Sequence, residues 1–252
     1  MKKKLRFIFP ILFVALVLCA GFYFWLYPAR GPHEAVDMQK AFLEEIDGTK
    51  VLHLKGTPYE MGFQRGVLLK DVIHHSLARF DELLELAKKE VGLPKFAAKL
   101  ILDVTWRLCS PHIPLRYSRE LEGIADGAGV NLQDLRRVHV VSVITERGCS
   151  SFAVWGKATA DGKMYHGRNF DWIMEAGIQD TAVTFCYEPQ GLNSFVSVGY
   201  ACAIGVLSGM NNRKVSIAQI GATNKDRRID GTPLEFILRR ILEECSTLDL
   251  SL

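Results

Sequence analysis

The sequence lacks any cysteine pattern of the kind that binds a metal ion. Its six cysteines form neither a Cys-x-x-Cys pair nor the Cys/His spacing of a zinc site. We therefore expect no metal and no other cofactor. Four of the cysteines are candidates for disulfides in an oxidising compartment, but their wide and irregular spacing favours free thiols in a core; these are Cys109, Cys186, Cys202 and Cys245.

An excess of charge of one sign is also missing. The formal net charge is only +3, and the basic head at residues 1–6 contributes four positive charges. The rest of the chain is close to neutral, which argues against a nucleic acid as a partner. With 48% hydrophobic and 23% charged residues in a chain of 252, the composition excludes a disordered protein and allows a sizeable core.

The N-terminal segment is apolar over residues 7–27 and ends at Pro28. About 20 apolar residues are enough to cross a bilayer. Behind a basic head, this pattern predicts a transmembrane signal anchor, with the membrane as a partner, in a single-pass protein whose domain is extracytoplasmic. A cleaved signal peptide is the alternative. Residues 28–49 are predicted to be a polar linker.

Helical patterns dominate residues 50–148, and strand patterns follow. Helices are expected over 58–91, 95–109 and 118–128 and from 132, with an apolar strand at Val138–Ile144. Later strands are expected at Thr181–Tyr187, Ser194–Tyr200, Ala203–Leu207 and Val215–Ile220, and a last helix at Pro233–Cys245, capped by Thr232. This order predicts an α+β layered domain.

The stretch Gly148–Trp172 has the pattern of a β-hairpin, with a turn at Ala160–Gly162. A hairpin brings its two ends together, so Cys149 is expected near Arg168, Asn169 and Asp171. An arginine beside a thiol favours the thiolate, and a carboxylate can orient an amine. The alternative interpretation is that a cysteine in a strand is a small buried hydrophobic residue.

The motifs of this stretch resemble those of the Cys-type N-terminal nucleophile (Ntn) hydrolases. They are Gly-Cys-Ser-Ser-Phe at 148–152, Ala-Thr-x-Asp-Gly at 158–162 and Gly-Arg-Asn-Phe-Asp-Trp at 167–172. Within that class the chain is most similar to the acyl-coenzyme A:6-aminopenicillanic acid acyltransferase-like family. Gly56–Gly66 and Glu120–Gly129 resemble that family's pro-region, and Gly231–Pro233 also agrees. The resemblance implies an αββα sandwich, with a helical pro-region at 50–148 and a catalytic part at 149–252.

The resemblance also implies a chemistry. The protein would be a membrane-anchored, self-processing hydrolase or acyltransferase acting on carbon-nitrogen bonds of linear amides. Cleavage between Gly148 and Cys149 would free the α-amine that serves as the base, and Cys149 would then form a thioester with a small-molecule acyl amide. By the family pattern, Asp171 orients the amine, Arg168 holds the thiolate or a substrate carboxylate, and Asn169 adds a hydrogen bond.

Two parts of the family pattern are not matched cleanly. The candidate oxyanion donors are Asn211 and Asn224, each of which can equally be a turn residue. The part that follows Cys149 is also shorter than the family's mature chain, so the sandwich is expected to be C-terminally incomplete. A truncated chain, a second polypeptide that completes the fold, and a non-catalytic relative are the alternatives. A phospholipase B-like acyl hydrolase on the same scaffold is a further one.

Overall fold

The computed structural model describes residues 16–144, 148–171, 177–221 and 228–247. They belong to two compact units, one ending at Pro32 and the other beginning at His33. In the first unit, residues 16–26 form helix α1.

The membrane anchor expected at 7–27 is not supported. No helix within the described ranges is long and apolar enough to cross a membrane; the described part of α1 covers 11 residues, where a span needs about 20. Residues 1–15 lie outside the described ranges. The transmembrane part of the expected fold, and the single-pass, extracytoplasmic location that depended on it, are therefore corrected.

The described part of the second unit contains eight strands. They are β1 (Phe42–Ile46), β2 (Thr49–Gly56), β3 (Gly148–Gly156), β4 (Gly162–Asp171), β5 (Ala182–Pro189), β6 (Phe195–Tyr200), β7 (Ser208–Asn211) and β8 (Ser216–Ala218). Six of them form one sheet in the order β1-β2-β5-β6-β7-β8, and β3 and β4 form a separate hairpin. Only the β2–β5 pair in this sheet is parallel. The mixed sheet is compatible with the expected α+β class.

Six helices accompany these strands in the described part of the second unit. They are α2 (Pro58–Leu68), α3 (Lys70–Val91), α4 (Lys95–Cys109), α5 (Leu115–Ala128), α6 (Leu132–Ile144) and α7 (Leu234–Glu244). Helix α2 begins as its sequence predicts. The Thr57 side chain accepts from the Glu60 backbone, the Glu60 side chain accepts from the Thr57 backbone, and Pro58 occupies the first turn.

Helices α2 and α5 approach each other through four glycines. A Cβ built on any of them would overlap backbone atoms of the opposite helix; they are Gly62, Gly66, Gly123 and Gly127. Two glycines spaced four apart on each helix allow the two backbones to touch. The two stretches that resemble a pro-region, Gly56–Gly66 and Glu120–Gly129, therefore form one helix contact.

Two buried arginines connect elements on either side of Cys149. Arg65 on α2 donates from Nε to the carbonyl of Ala201 at 2.9 Å and from Nη2 to those of Tyr200 at 2.6 Å and Ala203 at 2.7 Å. Arg239 on α7 donates from Nη2 to Glu120 on α5 at 2.6 Å. The helical part that precedes Cys149 and the strands that follow it therefore share one core.

Three predicted elements differ from the structure. Val138–Ile144 is the end of α6 and not a strand, because a short buried apolar run does not distinguish helix from strand. Ala203–Leu207 is not a strand, since Arg65 donates to the carbonyl of Ala203, and strand β7 forms at Ser208–Asn211, where no strand was expected. Helix α7 has Pro233 at its N-cap, while the Thr232 hydroxyl donates to the carbonyl of His112 at 2.8 Å.

The expected linker at 28–49 also differs. Its last part forms β1, which pairs with β2 from Phe42 opposite His53 to Ile46 opposite Thr49. The ring of Phe42 stacks on the His53 ring with centroids 4.1 Å apart. A positive φ of 48° at Asp47 and of 76° at Gly48 closes the hairpin.

His139 on α6 is a buried histidine that must stay neutral. Its Nε2 accepts from the Ile204 backbone N–H at 2.8 Å, and its Nδ1 lies 2.7 Å from the Leu135 carbonyl. Burial lowers its pKa to about 4 from the ordinary value of 6.5. Protonation would also remove the acceptor that Ile204 uses.

Stability should therefore fall in mild acid. Because the folded pKa is depressed, the contribution of His139 is fully present above pH 6.5 and is lost as pH falls towards 4. We expect a loss of about 2 kcal/mol between pH 8 and pH 5. Urea unfolding at both pH values measures it. His139→Gln keeps a possible acceptor but cannot titrate, so it should flatten this dependence; an unchanged slope in that variant would contradict the assignment.

Candidate functional site

The predicted hairpin is present, and it carries the candidate nucleophile at its open end. Strands β3 and β4 pair antiparallel, with Cys149 opposite Phe170 and Ser151 opposite Arg168. Gly156 and Gly162 on either side of the turn have φ of 60° and 72°, which glycine adopts at little cost. Trp172, the last residue of the motif, lies outside the described ranges.

Cys149 and Arg168 are in direct contact. Side chains directly opposite each other, or two apart on a strand, share one face of a hairpin, so Cys149, Arg168 and Phe170 point the same way. Arg168 Nη2 donates to the Sγ atom of Cys149 at 3.2 Å. Cys149 is partly buried and can be reached from solvent.

The Arg168 guanidinium is held from two further sides. Its Nε donates to the backbone carbonyl of Gln219 at 2.8 Å. Its central carbon lies 4.8 Å from the centre of the Phe170 ring. A guanidinium fixed in this way presents a positive charge to the thiol without large rotamer freedom.

The other two residues of the motif lie on the opposite face of the hairpin. Asn169 is opposite Ser150 and Asp171 is opposite Gly148, and both side chains are exposed. A Cβ built on Gly148 would lie 3.4 Å from Asp171 Oδ2. The structure thus brings Cys149 and Arg168 together, sets Asp171 beside the residue that precedes the nucleophile, and separates Asn169 from both.

Of the two candidate oxyanion donors, the structure describes only Asn211. Asn211 is buried, and its Nδ2 donates to the carbonyls of Leu242 at 2.9 Å and Cys245 at 2.8 Å. Its Oδ1 accepts from two backbone N–H groups of the following turn. Both amide hydrogens are therefore engaged in tying β7 to α7. Asn224 lies outside the described ranges.

Three of the other cysteines differ from Cys149 in burial. None of the six cysteines forms a disulfide, and Cys109, Cys202 and Cys245 are buried. Burial raises the pKa of Cys109 to about 11 and also raises the pKa of Cys202. Buried thiols of this kind are chemically inert. Among residues 16–144, 148–171, 177–221 and 228–247, no group of three or more His, Cys, Asp or Glu could hold a metal ion.

An apolar cavity of about 110 Å³ lies next to the hairpin, and Phe170 forms part of its wall. Sequence reasoning missed both this cavity and the support that Gln219 gives to Arg168. The cavity is lined by α3, α6, β4, β6 and the start of α7, which are far apart in the sequence. The alternation of side chains along β4 was enough to predict that Phe170 lies beside Cys149. It could not predict which helices and strands form the rest of the cavity wall.

Comparisons with known proteins give relatives without a stated activity. The chain is 30% identical over 218 residues to protein dcd1B of Dictyostelium discoideum, covering 79% of this chain and 44% of that protein. It is 25% identical over 228 residues to protein dcd1A of the same organism, covering 80% of this chain and 51% of that protein. An uncharacterized protein of Archaeoglobus fulgidus is 26% identical over 202 residues, covering 68% of this chain and 32% of that protein.

The chain thus spans about half of the length of the two Dictyostelium proteins and a smaller share of the archaeal one. No family model matches it. The resemblance to the Ntn hydrolases stays a prediction, and the function is argued from the site.

Proposed function

We propose that the chain carries the nucleophile of a self-processing amidohydrolase or acyltransferase, with Cys149 as the nucleophile and acyl amides as substrates. The observation that supports this most is the 3.2 Å contact between Arg168 Nη2 and the Sγ atom of Cys149, a thiol that is only partly buried. The motif resemblance around the same two residues is the second support.

Self-cleavage would activate the site. Cys149 Sγ attacks the Gly148 carbonyl carbon, a sulfur–carbon bond forms, and the peptide carbon–nitrogen bond breaks as its nitrogen takes the proton. Water then hydrolyses the thioester, which leaves a carboxylate on Gly148 and an α-amine on Cys149. Glycine at 148 leaves the carbonyl uncrowded, and Gly148 is exposed to water.

Turnover would use the same thiol. The free α-amine takes the proton from the thiol, which attacks the substrate amide carbonyl, and the amine returns the proton to the leaving nitrogen. Water or an acceptor amine then removes the acyl group from sulfur. Arg168 would stabilise negative charge at Sγ, and Asp171, which lies beside Gly148, would pair with the new α-amine.

Intact mass of the purified chain tests the proposal. We expect the wild type to separate into two fragments after Gly148 under denaturing conditions, and Cys149→Ala to remain whole. Cys186→Ala is the matched control, since Cys186 is also a partly buried thiol in a strand but has no arginine donor in the hydrogen bonds described, and it should separate like the wild type.

The result that contradicts the proposal is equally defined. If the wild type and Cys149→Ala both stay whole while circular dichroism and cooperative unfolding show that each is folded, this chain is not self-processing. The non-catalytic alternative would then replace the proposed function.

A further inference from the structure

We propose that the apolar cavity beside the hairpin is the acyl pocket of Cys149 and that it selects compact apolar acyl groups, a short aliphatic chain or a single ring. This inference rests on the proposed function, because it names the substrate class of the same nucleophile. Three observations support the inference: the position of the cavity, the chemistry of its wall and its size.

The position of the cavity follows from the strand register. Phe170 is directly opposite Cys149 and forms part of the cavity wall. Directly opposite side chains in an antiparallel pair have Cβ atoms about 4.5–5.5 Å apart. The Phe170 ring also lies 6.0 Å from the ring of Tyr200, a second wall residue. Phe170 therefore connects Cys149 with the cavity, and an acyl group bound at Sγ would reach the cavity past this ring.

The wall is suited to an apolar group. Phe80 and Leu83 come from α3, Val138 and Val141 from α6, and Phe236 from α7. The wall also contains Ser76, Arg79 and Glu235, but three of its other polar residues already have protein partners. His139 is bonded at both ring nitrogens, the Ser142 hydroxyl donates to Glu235 at 3.2 Å, and the Thr181 hydroxyl donates to the Ile178 carbonyl. Most of the wall is apolar, so a polar acyl group would exchange most of its hydrogen bonds to water for apolar contacts here.

The size sets an upper limit on the acyl group. The cavity holds about 110 Å³, whereas an engineered apolar cavity of about 150 Å³ binds benzene. A single ring or a chain of similar volume fills the space, and an acetyl group leaves most of it empty. A long acyl chain exceeds it and must leave part of its length outside.

A series of amides of one amine tests the selection. The acetyl, butanoyl, hexanoyl, benzoyl and dodecanoyl amides are offered to the self-cleaved wild type, and kcat/KM is measured for each. We expect an increase of about fourfold for each added methylene up to hexanoyl, comparable values for hexanoyl and benzoyl, and no further gain at dodecanoyl. A steady rise through dodecanoyl, or a maximum at acetyl, would overturn the inference.

Variants of the wall sharpen the test. Ala203→Phe adds a ring at the wall and should lower kcat/KM for hexanoyl at least tenfold while changing acetyl little. Leu83→Ala enlarges the cavity and should move the optimum to a longer chain, which keeps the test open if Ala203→Phe does not fold. Ala160→Phe makes the same change in the exposed hairpin turn and should leave the whole series unchanged.

A binding measurement separates this inference from the proposed function. Hexanamide should raise the melting temperature of Cys149→Ala, which cannot turn it over, while acetamide should not, and Ala203→Phe should abolish the shift. A hexanamide shift without turnover by the wild type overturns the function and leaves the cavity as an apolar binding site without an acyl-transfer role. Turnover without chain-length preference and without a shift overturns the pocket alone.

Discussion

Replacing Gly123 by alanine should prevent stable folding or lower the melting temperature by about 10 °C or more. The added Cβ would overlap the carbonyl oxygen of Tyr59 on the opposite helix, and Gly62 and Phe63 backbone atoms are within 3.1 Å as well. Backbone cannot move aside as a flexible side chain can, so α2 and α5 must separate. Overpacking of this kind typically costs about 1–3 kcal/mol and more where no side chain can yield.

The matched control for this substitution is Gly21→Ala. Gly21 also lies in a helix, but a Cβ built there meets no atom within 4 Å. Alanine should be neutral or slightly stabilising at this site, by up to about 1 kcal/mol. Thermal unfolding followed by circular dichroism compares the two. A Gly123→Ala protein that melts with the wild type would show that α2 and α5 are not in backbone contact.

Arg239→Leu should destabilise the protein by about 3–5 kcal/mol. The side chains of Arg239 and Glu120 are each 1% exposed, and two guanidinium nitrogens bond the two oxygens of Glu120. Arg239 Nε also bonds Glu243 at 2.8 Å. Removal of the guanidinium leaves the buried Glu120 carboxylate without the cation that is hydrogen-bonded to it, and that desolvated charge is the origin of the cost.

A second substitution distinguishes a lost charge partner from lost packing. Arg239→Leu combined with Glu120→Leu removes both charges, so the double variant should be more stable than Arg239→Leu alone. Arg240→Leu, one residue along the same helix, removes an arginine that is 62% exposed and should change stability by less than about 0.5 kcal/mol. Urea unfolding gives all three values. Equal losses for the single and double variants would refute the charge argument.

Much of the hairpin could be predicted from the sequence, because its information is local. The turn at Ala160–Gly162 and the alternation on either side are enough to pair the strands and to bring Cys149 near Arg168. The same alternation places Asn169 and Asp171 on the other face. The expectation that Arg168, Asn169 and Asp171 all lie near the thiol was based on their nearness in sequence. Side chains alternate between the two faces of a strand, so the three cannot all point towards Cys149.

The long-range parts of the fold could not be predicted in the same way. The parallel pairing of β2 with β5 and the contact of Arg65 with Tyr200, Ala201 and Ala203 join residues more than 100 positions apart. No local pattern records such partners. The prediction of a strand at Val138–Ile144 was wrong for a different reason. The local composition of this run suits a buried helix and a buried strand equally.

The parallel pairing of β2 with β5 also determines the order of events during synthesis. Val51 pairs with Thr184 and Gly56 with Pro189. The inner strand β2 therefore cannot complete its pairing until β5, more than 100 residues further along the chain, has been translated. Helices α2 and α5 can associate early because both precede Cys149, whereas β2 keeps an open edge until β5 emerges. Non-local pairing of this kind slows folding and exposes strand edges to aggregation. The nucleophile therefore reaches its final surroundings only at a late step of folding, when Gln219 can receive Arg168.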